Sequence, residues 1–371
     1  MARRGRGEGA VYRRSDGRWE AQLRLPDGQR KSIYARSRRR AVTKLGDAAW
    51  RIDHGLPLQA AKRRVGDYLE YWLEVTRRRV RPTTYEAYEL NVRRLQPDLG
   101  SLQLARLDAA VIQATYDRLL QAGLSPRSVE QMHAVLHRAL RQGLHWSMIA
   151  TNPAELVAPP RPRKREMTAL TTAQLQRLLM TTRNERWYPL WVILSTAGLR
   201  IGEALALGWE SVSLETRRLA VVRSLQRQRG LGLVFAEPKT ARSRRSIYLS
   251  VLACQALSEH RQRQQPPAAS RAAWQDSGLV FANRHGGPQD SGSVTSALNR
   301  ALLCAGLPHV RVHDLRHTTA SVLLAGGANP KVVQDLLGHS TVLTTLNTYS
   351  HVTESLSHLA AATMDSVLEL S

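Results

Sequence analysis

The chain has 371 residues, with 54 Lys or Arg against 30 Asp or Glu, a formal charge of +24 and a pI near 11.2. A length on this scale predicts two or three domains, and no apolar run is long enough to cross a membrane. The basic start MARRGRGEGAVYRRSDG has no apolar stretch behind it, and only Cys254 and Cys304 occur, so neither a secretory leader, a disulfide framework nor a thiolate metal cluster is expected. The cytoplasm, close to the nucleoid, is the expected location. An excess of positive charge this large attracts polyanions, and nucleic acid is the partner it favours.

In chain order, GAVYRRSDGRWEAQLRLPDGQRKSIYA predicts three short strands with turns at Asp16-Gly17 and Pro26-Asp27-Gly28. Ser37 stands where a helix N-cap belongs, and Ala41, Leu45, Ala48 and Ile52 form an apolar stripe at helical spacing that Gly55 can end. Residues 1–57 therefore read as a miniature domain, a three-stranded sheet on one helix. Its open face is expected to carry Arg13, Arg24 and Arg30, and a small sheet can enter a DNA major groove.

Residues 63–157 predict an all-helical domain of four amphipathic segments, with Pro82 and Pro126 near helix starts, where the missing N–H costs little. APPRPRKRE, residues 158–166, reads as a stiff linker whose Arg161, Arg163 and Lys164 would lie along DNA phosphates. From 167 to 371 the pattern is mainly helical with a small antiparallel sheet. Thr171 to Gln174 resembles a capping box, and WYPLWVILSTAG predicts a buried helix ended by Gly198. Short β-prone runs follow at RLAVVRS, LVFAE and RSIYLS. The final segment ESLSHLAAATMDSVLEL presents one apolar helical face, suited to the core or to docking on a neighbouring subunit.

Four places in this last region suit one reaction. Arg200 follows a glycine-terminated helix and opens the next, with Glu203 three residues on to hold its fork. Lys239 is one of only six lysines and stands in a turn between β-prone runs. A lysine, unlike Arg242, Arg244 or Arg245, can give up a proton and so serve as a general acid. In VRVHDLRHTTAS, His313 and Arg316 fall on neighbouring turns of one helix face. Zinc on His313 and His317 fits the i, i+4 spacing, but Asp314 replaces the glutamate such a motif needs and no third ligand is evident. The fourth place, LLGHSTVLTTLNTYSHV, offers His339 and the isolated phenol of Tyr349.

Together these residues compose a phosphoryl-transfer site that needs no metal or other cofactor. The phenol of Tyr349 attacks a phosphodiester, Arg200 and Arg316 neutralise the non-bridging oxygens, His313 and His339 complete the hydrogen bonds, and Lys239 protonates the departing 5′ oxygen. Each well-placed donor lowers the barrier by about 3–4 kcal/mol. A phosphotyrosine diester keeps the energy of the broken bond, which agrees with the lack of a Walker-type loop.

TAGLRIGEALALGW, PKTARSRRSI, HDLRH and LLGHSTVLTTLNTYSHV, in that order, resemble the catalytic domain of tyrosine recombinases, the phage-integrase family. The resemblance implies Arg200, Lys239, His313, Arg316 and His339 around the nucleophile Tyr349. It also implies a core-site-binding role for the helical region and, more loosely, an arm-site-binding role for the N-terminal sheet. A homotetramer on two double-stranded DNA sites would then exchange strands through a Holliday junction, with accessory DNA-bending proteins as further partners and the last helix packing in trans. The expected activity is that of a site-specific integrase/excisionase. A tyrosine-type topoisomerase and a chromosome-dimer resolvase share the chemistry, but neither needs the extra basic domain. A non-catalytic DNA-binding regulator would leave Lys239, His339 and Tyr349 without a task, and a zinc hydrolase is the remaining alternative.

Overall fold

The structure, a computed structural model, describes residues 10–25, 28–53, 63–162, 169–237, 244–264 and 274–338. The chain divides into two compact units, residues 1–164 and 165–371.

The first unit begins with strands β1 (Ala10–Arg13), β2 (Trp19–Arg24) and β3 (Arg30–Ala35), paired antiparallel in that order. The first turn needs Gly17 at φ +79°, a left-handed conformation that costs glycine little. Helix α1 (Arg38–Asp53) is opened by Ser37, whose Oγ accepts from the Arg40 N–H at 3.3 Å. Alternation along β2 turns Ala21 and Leu23 inward, where Ala21 packs with Ala35 and Ala41, flanked by Val11, Trp19, Ile33 and Leu45.

Register corrects one expectation about this sheet. Arg24 and Arg30 are direct partners and lie on the open face. Arg13 pairs with Trp19 and follows Val11 by two, so it belongs to the helix-covered side, exposed at its rim. The open face is also not uniformly cationic. Glu20 sits in it, only 4% exposed, accepting from Ser32 Oγ at 2.6 Å and Arg14 Nη1 at 2.8 Å. The Ser32 hydrogen bond, followed by that from Arg14, pulls its carboxyl pKa down to about 2.

Four helices follow: α2 (Val65–Arg77), α3 (Pro82–Leu99), α4 (Ala109–Gln121) and α5 (Pro126–His145). Pro82 and Pro126 occupy first-turn positions, and Asp108 and Ser125 cap α4 and α5 through their side chains. The apolar stripes meet in a core built on Tyr68, Leu69, Trp72, Leu95, Ile112, Tyr116, Met132, Leu136 and Leu140. Each such side chain contributes about 1.5–3 kcal/mol when fully buried. The Tyr68 hydroxyl lies deep in this core and donates to the Ala139 carbonyl.

The second unit is mainly helical. Thr171 and Gln174 form the expected capping box at the start of α6 (Thr172–Thr181), each side chain accepting from the other residue's backbone N–H. Helix α7 (Tyr188–Thr196) is apolar on every side and is accordingly central, with Leu190 to Leu194 at most 1% exposed. A short helix α8 (Ile201–Leu205) comes next, then strands β4 (Val212–Ser213), β5 (Arg218–Val221), β6 (Ser224–Gln228), β7 (Gly232–Ala236) and β8 (Arg245–Tyr248).

Here the structure refines the expected single sheet. RLAVVRS breaks at Val222-Arg223, so β4, β5 and β8 make one antiparallel sheet while β6 and β7 make a separate hairpin. Helices α9 (Val251–Arg263), α10 (Ser291–Cys304), α11 (Val312–Ala325) and α12 (Pro330–Leu337) complete the described part. The expected C-terminal helix lies outside the described residues. Among the described residues, no helix is long and apolar enough to cross a membrane.

Candidate active site

Arg200 is placed by the end of α7. The chain leaves that helix through Gly198, held at φ +59°, and two residues later Arg200 adopts extended backbone as the N-cap of α8. Glu203, one turn into α8, accepts from the Arg200 backbone N–H at 3.0 Å and from its Nη1 at 2.7 Å. Arginine has no acceptor atom, so only this glutamate half of a capping box is chemically available. The Arg200 side chain remains 39% exposed, while that of Glu203 is 4% exposed.

A second arginine reaches Glu203 from the sheet. Arg245 on β8 donates from Nη2 to Oε2 at 2.9 Å and from Nη1 to Oε1 at 3.3 Å. Burial pushes the Glu203 pKa up, but hydrogen bonds from Arg245 and then Arg200 outweigh it and leave the carboxyl below its ordinary value. Removing one partner from a buried pair of this kind costs about 3–5 kcal/mol, because the other charge is left uncompensated.

Arg316 is on α11 and is 2% exposed, one of the largest buried side chains in the protein. Its Nη1 donates to the Gly198 carbonyl at 2.6 Å, and Nη2 donates to the Leu337 carbonyl at the end of α12. The same helix end also receives Arg245 Nε at the Leu336 carbonyl, 2.7 Å away, and Arg200 Nη2 at the Gly338 carbonyl, 3.4 Å away. Three consecutive carbonyls thus accept from three arginines of three different elements. The C-terminal end of a helix carries unsatisfied carbonyls and partial negative charge, which guanidinium groups complement.

His313 sits one turn before Arg316 and is exposed. Partial burial, followed by the Arg316 charge beside it, moves its pKa down. His317 packs edge-on against it with ring centroids 5.0 Å apart, and burial lowers the His317 pKa to about 4. Asp314 anchors this helix start by accepting from the Arg311 backbone N–H at 2.8 Å and from both sides of its guanidinium fork. Burial acts to raise the Asp314 pKa, and the Arg311 bonds reverse that to a net lowering. Among the described residues no group of three or more His, Cys, Asp or Glu side chains could hold a metal ion.

Of the site residues expected from sequence, Arg200 and Arg316 therefore meet at the end of α12, Glu203 is bonded to Arg200, and His313 lies within range of the charges of both arginines. Lys239, His339 and Tyr349 lie outside the described residues, as do Arg163 and Lys164 of the linker. Arg161 is exposed, as are Arg13, Arg24 and Arg30. Arg245 was not anticipated as a member of the site. Its signal was the alternation in RRSIYL, which puts Arg245 on the same strand face as the buried Ile247.

Residues 168–355 match the model of the phage integrase family, and residues 65–120 match that of the N-terminal SAM-like domain of phage integrases. The chain belongs to the phage integrase family. It is 26% identical over 344 residues to a XerC-like tyrosine recombinase of Caldanaerobacter subterraneus, covering 87% of this chain and 88% of that one. It is 27% identical over 391 residues to an integrase of Streptomyces ambofaciens, covering 99% and 98% respectively. In fold it is similar to the Tn1549 transposon integrase solved in complex with a circular intermediate DNA, with a TM-score of 0.69 at 24% identity over 80% of this chain and 99% of that one. This integrase-family chain is accordingly a tyrosine recombinase in class, and the arginine cluster at α12 is its candidate active site.

Proposed function

We propose that the protein is a site-specific DNA integrase/excisionase that cuts and rejoins strands through a 3′-phosphotyrosyl intermediate. The observation that carries this reading is the convergence of Arg200 and Arg316 on the end of α12, with His313 within range of both charges; from that helix end the chain runs directly into His339 and on to Tyr349. The hydroxyl of Tyr349 gives up its proton to solvent as its oxygen forms a bond to phosphorus and the bond to the 5′ oxygen of the next nucleotide breaks. Lys239 gives its proton to that leaving oxygen. Arg200 and Arg316 neutralise the equatorial oxygens, whose charge grows in the transition state, and His313 and His339 donate to them. The reverse attack by a 5′ hydroxyl restores the backbone, so no nucleotide cofactor is consumed.

The reading extends to architecture. Residues 63–157 bind the core site, residues 1–57 bind a second, arm-type site, 158–166 link them to the catalytic domain 167–371, and four protomers exchange strands through a Holliday junction. The match to an integrase along 99% of this chain, N-terminal sheet included, supports an integrase over a resolvase that lacks such an extension. Its setting is the cytoplasm, on double-stranded DNA.

The test is a nicked suicide substrate carrying the core site. Wild type accumulates a covalent protein–DNA adduct, whereas Tyr349→Phe binds the same DNA and forms none. Adduct formation by Tyr349→Phe, or none by wild type on any core site recovered from its own element, refutes the assignment.

A further inference from the structure

One buried charge at the end of α12 has no part in the chemistry above. The side chain of Arg245 is 7% exposed. Its three donor groups are all used within the protein. Nη1 and Nη2 grip the two oxygens of Glu203, and Nε holds the Leu336 carbonyl. The same two carboxylate oxygens accept from Arg200, Oε1 from its side chain and Oε2 from its backbone. Glu203 is thus a bridge with one arginine on either side. The carbonyl that Arg245 takes is the first of three in a row, the next two going to Arg316 and Arg200.

We propose that Arg245 is a positioning residue for strand cleavage, fixing Glu203, and with it the Arg200 guanidinium, while pinning the last turn of α12 ahead of the segment that bears His339. The inference rests on the functional reading above. Its physical basis is the rigid, planar fork of arginine, which meets a carboxylate at two points and still has a donor for a third acceptor. A lysine is a point charge on a flexible stem, so it holds the charge balance without holding the geometry. Without Arg245, Arg200 is the charged partner that Glu203 keeps among the described residues.

The full-length protein and the suicide substrate provide the test, with Arg245→Gln, Arg245→Lys, Glu203→Gln and the double variant Arg245→Gln/Glu203→Gln. At saturating DNA, adduct formation by Arg245→Gln falls about 100-fold, the scale of a misplacement near 1 Å, while affinity for the core site in a gel shift stays at the wild-type level. Arg245→Lys restores part of the rate. The acid limb of the cleavage profile moves to higher pH in Arg245→Gln, because a buried carboxylate with one cation fewer takes up a proton sooner, and that shift disappears in the double variant. Near-ultraviolet circular dichroism at the assay temperature separates this from unfolding, and if Arg245→Gln is unfolded the lysine variant decides. Wild-type rates in both Arg245 variants, a loss confined to DNA affinity, or an unmoved acid limb each overturn the proposal. Wild type that forms no adduct overturns the functional reading and this inference with it.

Discussion

Gly198 is the hinge on which the arrangement turns, and replacing it by alanine tests that directly. Its φ of +59° is left-handed, a conformation that costs a side-chain-bearing residue about 1–2 kcal/mol. An added Cβ would lie 2.5 Å from Leu337 Cδ2 and 3.6 Å from Thr319 Cγ2, and Leu337 is fully buried. Overpacking of this kind adds about 1–3 kcal/mol, so Gly198→Ala should lose about 3 kcal/mol in all. In a unit of this size that is a fall of about 10 °C in the thermal midpoint. Because Gly198 and Leu337 both offer their carbonyls to Arg316, adduct formation at a permissive temperature should fall as well. A double-mutant cycle with Leu337→Ala isolates the clash: the double variant should be more stable than the sum of the two losses by about 1–3 kcal/mol. An unchanged midpoint in Gly198→Ala, or strictly additive losses, would refute the contact as the reason for glycine.

Arg316→Lys replaces a planar fork that reaches two buried carbonyls by a single ammonium, so it should lower stability by about 1–3 kcal/mol, measured by urea titration. Its adduct rate on a suicide substrate should fall about 100-fold or more, the loss seen when one transition-state donor is removed. His317 should make stability fall with acid. With a folded pKa near 4 against about 6.5 when unfolded, the unfolded chain binds the extra proton first, so stability is lost as pH drops through that window, by at most about 3 kcal/mol. His317→Gln should flatten that part of a pH–stability curve, and an unaltered slope would show that the histidine does not titrate in this way. Deleting residues 1–57 should leave core-site cleavage intact while abolishing recombination that depends on a distant arm-type site, read as recombinant product on paired plasmids.

Much of the fold was legible because its signals are local. Asp16-Gly17 foretold the turn between β1 and β2, Ser37 the start of α1, Thr171 to Gln174 the start of α6, and Gly198 the end of α7. Each depends on a few neighbouring residues whose conformational preferences or side-chain acceptors act within one turn of chain. The meeting of Arg200 with Glu203 was readable for the same reason, since i and i+3 on a helix start are neighbours whatever surrounds them.

Other features were set by pairings between distant parts of the chain. Arg13 changed faces because register, not composition, decides which side of a sheet a residue occupies. RLAVVRS looked like one strand, yet Arg218–Val221 pairs in one sheet while Ser224 begins a separate hairpin. Within the second unit, sequence by itself pointed to Arg200 and Arg316, since the kind of residue and its place in a motif are written in the chain, but it did not point to Arg245. Only the tertiary structure decided how they are held. Arg245 meets Glu203 across 42 residues, and Arg316 meets Gly198 across 118, through hydrogen bonds whose value comes from burial. Burial is a property of the packed fold, created when α7, α11 and α12 close on one another, and no short stretch of sequence contains it.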